Sequence, residues 1–323
     1  LLDAPSWVIF TPTTGQLQGQ ITGTVPAFAG DATDTIVINA TASNSSSSRL
    51  EEFTITINVQ EVAYTNSKSL SFPAGNTAKY LSGNPVNVTS LQRASNGSGS
   101  SDAWTIGMWV KTSSSLVNQT LFHYGGDNEN TKGGIKISQS SLGNNVLVVR
   151  YGTSSDYIGF LGLGSLTPNT WQHLMVTYDG GTTGSDVSDV SDYFTRFKIF
   201  VNGVEQTLVY PAHANGGYDG SIEAGSFKIG STLGYELLDD AIFNQLCIWG
   251  SDQSANIAGI YNSGVTQNMT SAATMDGTVD GSYAQPTHYY EVESSVTTID
   301  DINGSAPLSG FNFLTTDLVN DTP

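Results

Sequence analysis

The sequence predicts an all-β protein, and three observations support that prediction. Gly, Ser, Thr and Asn are abundant, and long stretches with helical periodicity are missing. Apolar and polar residues alternate in short runs, as in WTIGMWVK at residues 104–111. Turn signals close such runs, as Asn202-Gly203 closes the run that begins at Phe197. A chain of 323 residues built in this way is expected to form two or three domains.

The first segment, residues 1–62, is predicted to form a separate small β domain. Residues 35–42 and 53–59 alternate apolar and polar, which predicts a hairpin. The stretch DAPSWVIFTPTTGQLQG carries a Pro-X-Trp strand, a Thr-Gly turn and a closing Gly, and it resembles the middle of a bacterial cadherin-like or immunoglobulin-like module. The resemblance implies that Trp7 is a core residue and that the family's first strands are missing. We therefore expect the natural polypeptide to extend before Leu1, or a neighbouring chain to supply those strands.

A series of strand patterns and one short helix follow. Strands are predicted at residues 104–111, 121–126, 145–151, 171–176, 197–201, 226–230 and 241–249. The helix is predicted at residues 254–264, because Ile257, Ile260 and Tyr261 share one face at helical spacing. Ser254 is a candidate for its start and Gly264 for its end.

These signals come in an order that resembles the laminin-G-like branch of the concanavalin-A-like jelly rolls. The carriers are a Trp-His strand closed by Tyr-Asp-Gly, followed by a strand that ends in Val-Asn-Gly. The resemblance covers residues 68–264. It implies a two-sheet antiparallel jelly-roll sandwich at residues 63–264, with the smaller, incomplete immunoglobulin-like β-sandwich at the N-terminus.

Three side chains in the predicted strands could serve either packing or chemistry. Trp109 lies on the face of its strand opposite Trp104, where it could stack on a sugar ring. The family pattern instead places a packing aromatic there, and it favours packing for His173 as well. Cys247 is the single cysteine and lies between Leu246 and Ile248, so we expect a buried thiol.

The segment between residues 179 and 194 is a long insertion compared with the compact turn typical of the family. Asp186, Asp189 and Asp192 recur there every three residues and offer the hard oxygen ligands that Ca²⁺ takes. Solvated loops of Ser and Asp have the same composition, so two interpretations stay open. No cofactor is required, and calcium is the one candidate.

The last segment, residues 265–323, begins with a polar linker and continues as an aromatic-rich tail. An aromatic strand, an Asp-X-X-Gly turn and a closing Asp-Leu-Val-X-Asp-X-Pro end resemble a recurring extension of laminin-G-like proteins of marine tailed phages. We expect Tyr289, Tyr290, Phe311 and Phe313 to be covered, and therefore the tail to dock on the jelly roll or on a neighbouring subunit.

The sequence lacks the catalytic signatures of sugar hydrolases and of common metal and phosphate sites. Sugar hydrolases of this superfamily supply two carboxylates from a strand carrying Glu-X-Asp-X-X-Glu, and the sequence lacks that string. The nearest acidic cluster, Glu236, Asp239 and Asp240, falls at a structural turn of the family. The sequence contains no His-Glu-X-X-His motif, no paired cysteines and no phosphate-binding loop. We therefore predict a binding protein without enzymatic activity.

The charge and the resemblance together suggest where the protein acts. The formal net charge is −18, and no Lys or Arg follows Lys228, which disfavours nucleic acid and anionic lipid as partners. No run approaches the roughly 18 apolar residues of a membrane span, so membrane insertion is not expected.

We predict a structural or adhesive protein on the virion surface of a tailed phage. Its expected partners are other virion proteins, copies of itself and host-surface polysaccharide. A bacterial cell-surface adhesin or polysaccharide-binding module is the alternative.

Overall fold

The computed structural model divides the chain into two compact units. It describes residues 8–12, 19–23, 32–43, 48–59, 66–76, 78–92, 103–113, 119–126, 134–139, 145–151, 157–180, 196–214, 222–232, 237–270 and 283–323. The first unit contains Leu1–Tyr64 and Ala272–Ser282, and the second contains Thr65–Ser271 and Tyr283–Pro323. Within the described ranges, no helix has the length and hydropathy that crossing a membrane requires.

The first unit contains two antiparallel strand pairs. Its strands are β1 (Val8–Pro12), β2 (Gly19–Gly23), β3 (Ala32–Ser43) and β4 (Ser48–Val59). Strand β1 pairs with β2, and β3 pairs with β4 along its whole length, from Ala32 opposite Val59 to Ser43 opposite Ser48. The predicted hairpin is confirmed, with longer strands than the sequence indicated. The immunoglobulin-like identity of this unit stays a prediction, and Trp7 lies outside the described residues.

In the described residues of the second unit, the regular secondary structure is almost wholly β-strand. The strands are β5 (Ser69–Phe72), β6 (Tyr80–Gly83), β7 (Trp104–Thr112), β8 (Gln119–Gly125), β9 (Gly134–Gln139), β10 (Asn145–Tyr151), β11 (Tyr157–Ser165), β12 (Trp171–Tyr178), β13 (Phe197–Val201), β14 (Val204–Glu205), β15 (Leu208–Ala214), β16 (Ser226–Ile229), β17 (Ala241–Trp249), β18 (His288–Glu291), β19 (Thr298–Ile299), β20 (Leu308–Phe311) and β21 (Leu318–Val319).

These strands form two antiparallel sheets. In the described part of the chain, a nine-stranded sheet has the order β15-β11-β10-β9-β8-β16-β6-β20-β19. An eight-stranded sheet has the order β14-β13-β12-β7-β17-β5-β21, and β18 also pairs with β17. The prediction of an all-β fold with two stacked sheets and a jelly-roll-like arrangement is confirmed.

The hydrophobic core lies between the two sheets, as strand alternation requires. Trp104, Ile106, Met108 and Val110 of β7 join one buried cluster with Tyr124 and Ile137 of the opposite sheet, among others. The intervening residues of β7 point to the outer face of the eight-stranded sheet. The alternation predicted for residues 104–111 is therefore confirmed.

The predicted helix is present but is shorter and capped differently. Helix α1 (Ile257–Tyr261) lies between 3₁₀ turns at Ser254–Asn256 and Asn262–Gly264. The expectation that Ser254 caps the start was wrong, because the carboxylate of Asp252 accepts the backbone N–H of Ser254 at 2.8 Å. Asp252, two residues before Ser254, therefore caps this end of the segment through an Asx turn. The helix ends in the left-handed conformation at Asn262, two residues before Gly264.

The tail contributes strands to both sheets. Strands β18 and β21 pair with β17 and β5 of the eight-stranded sheet, whereas β20 pairs with β6 and with β19 in the nine-stranded sheet. The closing Asp-Leu-Val-X-Asp-X-Pro motif of the tail also forms two ion pairs. Lys79 binds Asp317 at 2.6 Å and Lys111 binds Asp321 at 2.6 Å.

A buried carboxylate joins the two sheet-forming parts of the tail. Asp301, in the predicted Asp-X-X-Gly turn, accepts the backbone N–H groups of Tyr289 at 3.1 Å, Gly304 at 3.0 Å and Ala306 at 3.0 Å. The oxygen that accepts from Ala306, Oδ2, also lies 2.6 Å from Nδ1 of His288. Burial opposes the charge, but the bonds from His288 and Ala306 outweigh burial and hold the pKa of Asp301 below its ordinary value.

The covering of the tail aromatics differs from the prediction at one position. Tyr289, Tyr290 and Phe313 are buried, as expected, but Phe311 is 43% exposed. The physical reason is alternation along β20, which places Phe311 on the outer face with Ser309. Asn312 then takes the left-handed conformation at φ 58°, which changes the direction of the chain before Phe313. Phe313 therefore packs edge-on against Phe72 of the core, whereas Phe311 lies on the other side of the sheet.

Candidate functional site

An aromatic and cationic cluster lies on the outer face of the nine-stranded sheet. We call it the Tyr80 patch, and it consists of Tyr80 and Ser82 of β6, Lys228 of β16, and Ser309 and Phe311 of β20. The register places them together. Ser82 is opposite both Lys228 and Ser309, and Tyr80 is opposite Phe311.

The geometry of the Tyr80 patch leaves an aromatic surface in contact with solvent. The rings of Tyr80 and Phe311 are stacked, with 4.6 Å between centroids and an interplanar angle of 15°. The ammonium of Lys228 lies 4.9 Å from the centroid of the Tyr80 ring. Ser309 is exposed, and Ser82 and Lys228 are half-buried. The arrangement combines a partly exposed pair of stacked aromatic rings with hydroxyls and one cation.

A second row of basic side chains continues the patch across the sheet. Strand register places His123 of β8 between Lys228 and Lys136 of β9. His123 is buried, and among the described residues its Nδ1 has no hydrogen-bond partner. Burial, and then the charges of Lys136 and Lys228, lower the pKa of His123 to about 3, so the ring is neutral at physiological pH.

The outer face of the eight-stranded sheet is a different environment, and it contains the aromatic that the sequence singled out. Trp109 is 5% exposed and lies 6.1 Å from the ring of Tyr261 and 5.2 Å from that of His173. The packing interpretation of Trp109 and His173 is confirmed. Burial lowers the pKa of His173 to about 4, so this ring is also neutral. The space beneath α1 is a cavity of only about 10 Å³, too small for a sugar.

The predicted thiol lies in the same covered region. Cys247 is buried and free, as expected. Burial and the charge of Glu291 raise the pKa of the Cys247 thiol, so the unreactive thiol form dominates.

Four of the six acidic candidates lie outside the residues that the structure describes. Asp186, Asp189 and Asp192, the candidate calcium ligands, lie outside the described residues, as does Glu236. The carboxylate of Asp239 accepts the backbone N–H of Asn76 at 2.9 Å, which is a structural use. Among the residues that the structure describes, no group of three His, Cys, Asp or Glu side chains could hold a metal ion.

Sequence reasoning missed the Tyr80 patch because its members are far apart in the chain. Tyr80 and Phe311 meet only through the pairing of β6 with β20. One signal was available, since Lys228 is the last cation before a long acidic stretch. Alternation along β20 was a second, because Phe311 has the parity of exposed Ser309 and not of buried Leu308.

Comparison with known proteins supports the fold. The family model of the concanavalin A-like lectin/glucanases superfamily matches residues 82–219. The larger unit has the concanavalin A-like fold. No match was found among curated proteins.

Solved structures with a similar arrangement come from several organisms. A putative carbohydrate binding protein from Bacteroides ovatus is 12% identical with a TM-score of 0.48, and the alignment covers 94% of this chain and 77% of that one. A SAP-like pentraxin from Limulus polyphemus is 13% identical with a TM-score of 0.38, covering 76% and 97%. The CBM40 of Ruminococcus gnavus IT-sialidase, bound to α2,3 sialyllactose, is 10% identical with a TM-score of 0.37, covering 61% and 98%.

Proposed function

We propose that this protein binds glycans through the Tyr80 patch, without chemical turnover. The observation that carries the proposal is the exposed ring of Phe311, stacked on Tyr80 beside hydroxyl groups and a cation. Among the exposed large apolar side chains of the described residues, Phe311 is the one aromatic. Within the concanavalin A-like lectin/glucanases superfamily, a carbohydrate is the natural candidate.

The chemistry of the patch suits a sugar ring. The apolar face of a pyranose can lie on an aromatic platform, while its hydroxyls need hydrogen-bond partners at the edge. Ser82 and Ser309 are opposite each other in neighbouring strands and can both donate and accept. Because strands hold all five residues, little conformational freedom is lost on binding.

Binding is favoured over hydrolysis by the composition of the patch. Glycoside hydrolysis needs two carboxyl groups about 5 to 9.5 Å apart. None of the five patch residues is acidic. The proposed mechanism is therefore recognition alone.

The proposed setting is the outside of a virus particle, where many copies would act together. The resemblance of the tail to extensions of phage laminin-G-like proteins supports this location, and the net charge of −18 suits a particle that must stay dispersed. A weak single site gains strength when many copies contact one polysaccharide. Other virion proteins, or further copies of this chain, are the proposed structural partners.

The glycan proposal is tested with Phe311→Ala on a glycan array. We expect the variant to lose at least tenfold in affinity for every glycan that the full chain binds, about 1.4 kcal/mol. Val204→Ala is the matched control, because Val204 is a similarly exposed apolar side chain in the other sheet, at 64%. Equal loss in both variants, or no glycan binding by the full chain, would contradict the proposal.

The location is tested by mass spectrometry and imaging of purified particles from the virus that encodes the chain. We expect the protein in intact particles, with density for the two-sheet unit on the outer surface. Recovery only in the surface fraction of bacterial cells would favour the adhesin alternative instead.

A further inference from the structure

Lys228 differs in its partner from four other cations of the described residues. Those four bind carboxylates, namely Lys79 with Asp317, Lys111 with Asp321, Arg196 with Asp179 and Lys198 with Glu205. Lys228 lies over the ring of Tyr80, and within the described ranges no carboxylate pairs with it. In a chain with 29 acidic and 11 basic residues, an unpaired cation beside an exposed aromatic platform is unexpected.

Among the described residues, the cross-strand neighbours of Lys228 do not compensate its charge. Its cross-strand neighbours in the same row are His123 and Ser82. His123 is neutral at physiological pH and Ser82 has no charge, so neither neutralises the ammonium. The Tyr80 ring attracts the ammonium through its quadrupole, which fixes the position of the cation without cancelling its charge.

We propose that the Tyr80 patch recognises acidic sugars, with Lys228 contacting a carboxylate or sulfate and Phe311 supporting the ring. The inference rests on the proposed glycan binding and names the class of glycan. An ammonium donates to either anion as a point charge, so the same residue serves both chemistries. The net charge of −18 does not prevent such binding, because charges more than about 8 Å away are largely screened at physiological salt.

The test compares Lys228→Gln with Lys198→Gln in the full chain. Both substitutions remove one positive charge, but Lys198 belongs to an exposed ion pair with Glu205 in the other sheet. The immobilised probes are polygalacturonate and its methyl ester, and dextran sulfate and unsubstituted dextran. Each pair differs in the anionic group, so the arms separate a carboxylate from a sulfate.

We expect the full chain to bind at least one acidic polymer at least tenfold more tightly than its neutral form. Lys228→Gln should abolish that preference, Lys228→Arg should retain it, and Lys198→Gln should leave it unchanged. The affinity should also fall as salt increases.

Two results would overturn the inference, and they are distinguishable from failure of glycan binding itself. Equal binding of the acidic and neutral forms that is lost in Phe311→Ala would leave the glycan proposal intact and exclude the acidic class. Equal loss in Lys228→Gln and Lys198→Gln would show a general charge effect. Absence of binding to all probes and to the glycan array would contradict both proposals.

Discussion

The outer faces of the two sheets both carry aromatic side chains, but these differ in how far they are covered by other segments of the chain. On the eight-stranded sheet, Tyr261 of α1 packs over Trp109 and leaves it 5% exposed. On the nine-stranded sheet, Phe311 stacks on Tyr80 and stays 43% exposed. The same residue class therefore serves stability on one face and a proposed contact surface on the other, according to which segment lies above it.

The largest effect is expected on the covered face. Trp109→Ala removes a buried ring and leaves a cavity beneath α1, so the free energy of unfolding should fall by about 3 to 5 kcal/mol. Denaturant unfolding measures the change. Trp109→Phe is the control, since it keeps an aromatic ring and should lose clearly less. A loss below about 1 kcal/mol in Trp109→Ala would mean that α1 does not depend on this contact.

The next effect concerns the tail, which supplies Phe311 to one face and Asp321 to the other. Asp301→Asn replaces an accepting oxygen with a donor and leaves the N–H of Ala306 unpaired, so we expect a loss of about 2 to 3 kcal/mol at pH 7. Asp300→Asn is the matched control. Asp300 is the preceding residue and its side chain is exposed, so this substitution should change the free energy of unfolding by less than about 0.5 kcal/mol.

The pH dependence of that difference gives a further test. The pKa of Asp301 is lowered in the folded protein, so its stabilising contribution is present above the ordinary aspartate pKa of about 3.9 and is lost as pH falls through the folded value. The difference between the wild-type chain and Asp301→Asn should therefore shrink with acidification below pH 4. A difference that stays constant down to pH 2 would show that the carboxylate charge is not responsible.

A smaller effect is expected at Gly203, where backbone strain can be distinguished from a clash with Tyr261 of α1. Gly203 has φ +76°, and an added Cβ would lie 2.7 Å from the ring of Tyr261, whereas Gly75 has φ +75° with open space around it. Gly203→Ala should lose about 2 kcal/mol and Gly75→Ala about 1 kcal/mol, because only the first must also displace Tyr261. If thermal unfolding shows equal losses of stability in the two variants, α1 can move away from the added methyl group without cost.

The smallest effect on stability is expected in the Tyr80 patch. Phe311→Ala should lower the free energy of unfolding by only about 1 kcal/mol, because Phe311 is 43% exposed and stacks on Tyr80 outside the hydrophobic core. Urea denaturation of this variant checks that any loss of glycan binding is not caused by unfolding. A loss as large as that of Trp109→Ala would assign Phe311 to packing.

Much of the fold could be predicted from local patterns. The strands at Asn145–Tyr151, Phe197–Val201 and Ala241–Trp249 were predicted with the bounds that the structure shows. Several strands, including Gly134–Gln139 and Tyr157–Ser165, were missed, because they lack a strong alternation or contain glycines. The candidate calcium loop remains a prediction, since its three aspartates lie outside the described residues.

The sequence by itself determined which residues alternate, and hence which side chains share a face of each strand. Only the tertiary structure decided what lies on that face. Trp109 meets Tyr261 across about 150 residues, and Tyr80 meets Phe311 across more than 200, so no local window contains either pair. The exposure of an aromatic side chain depends on such distant contacts, and for this reason Phe311 was predicted to be covered and is instead the centre of the proposed site.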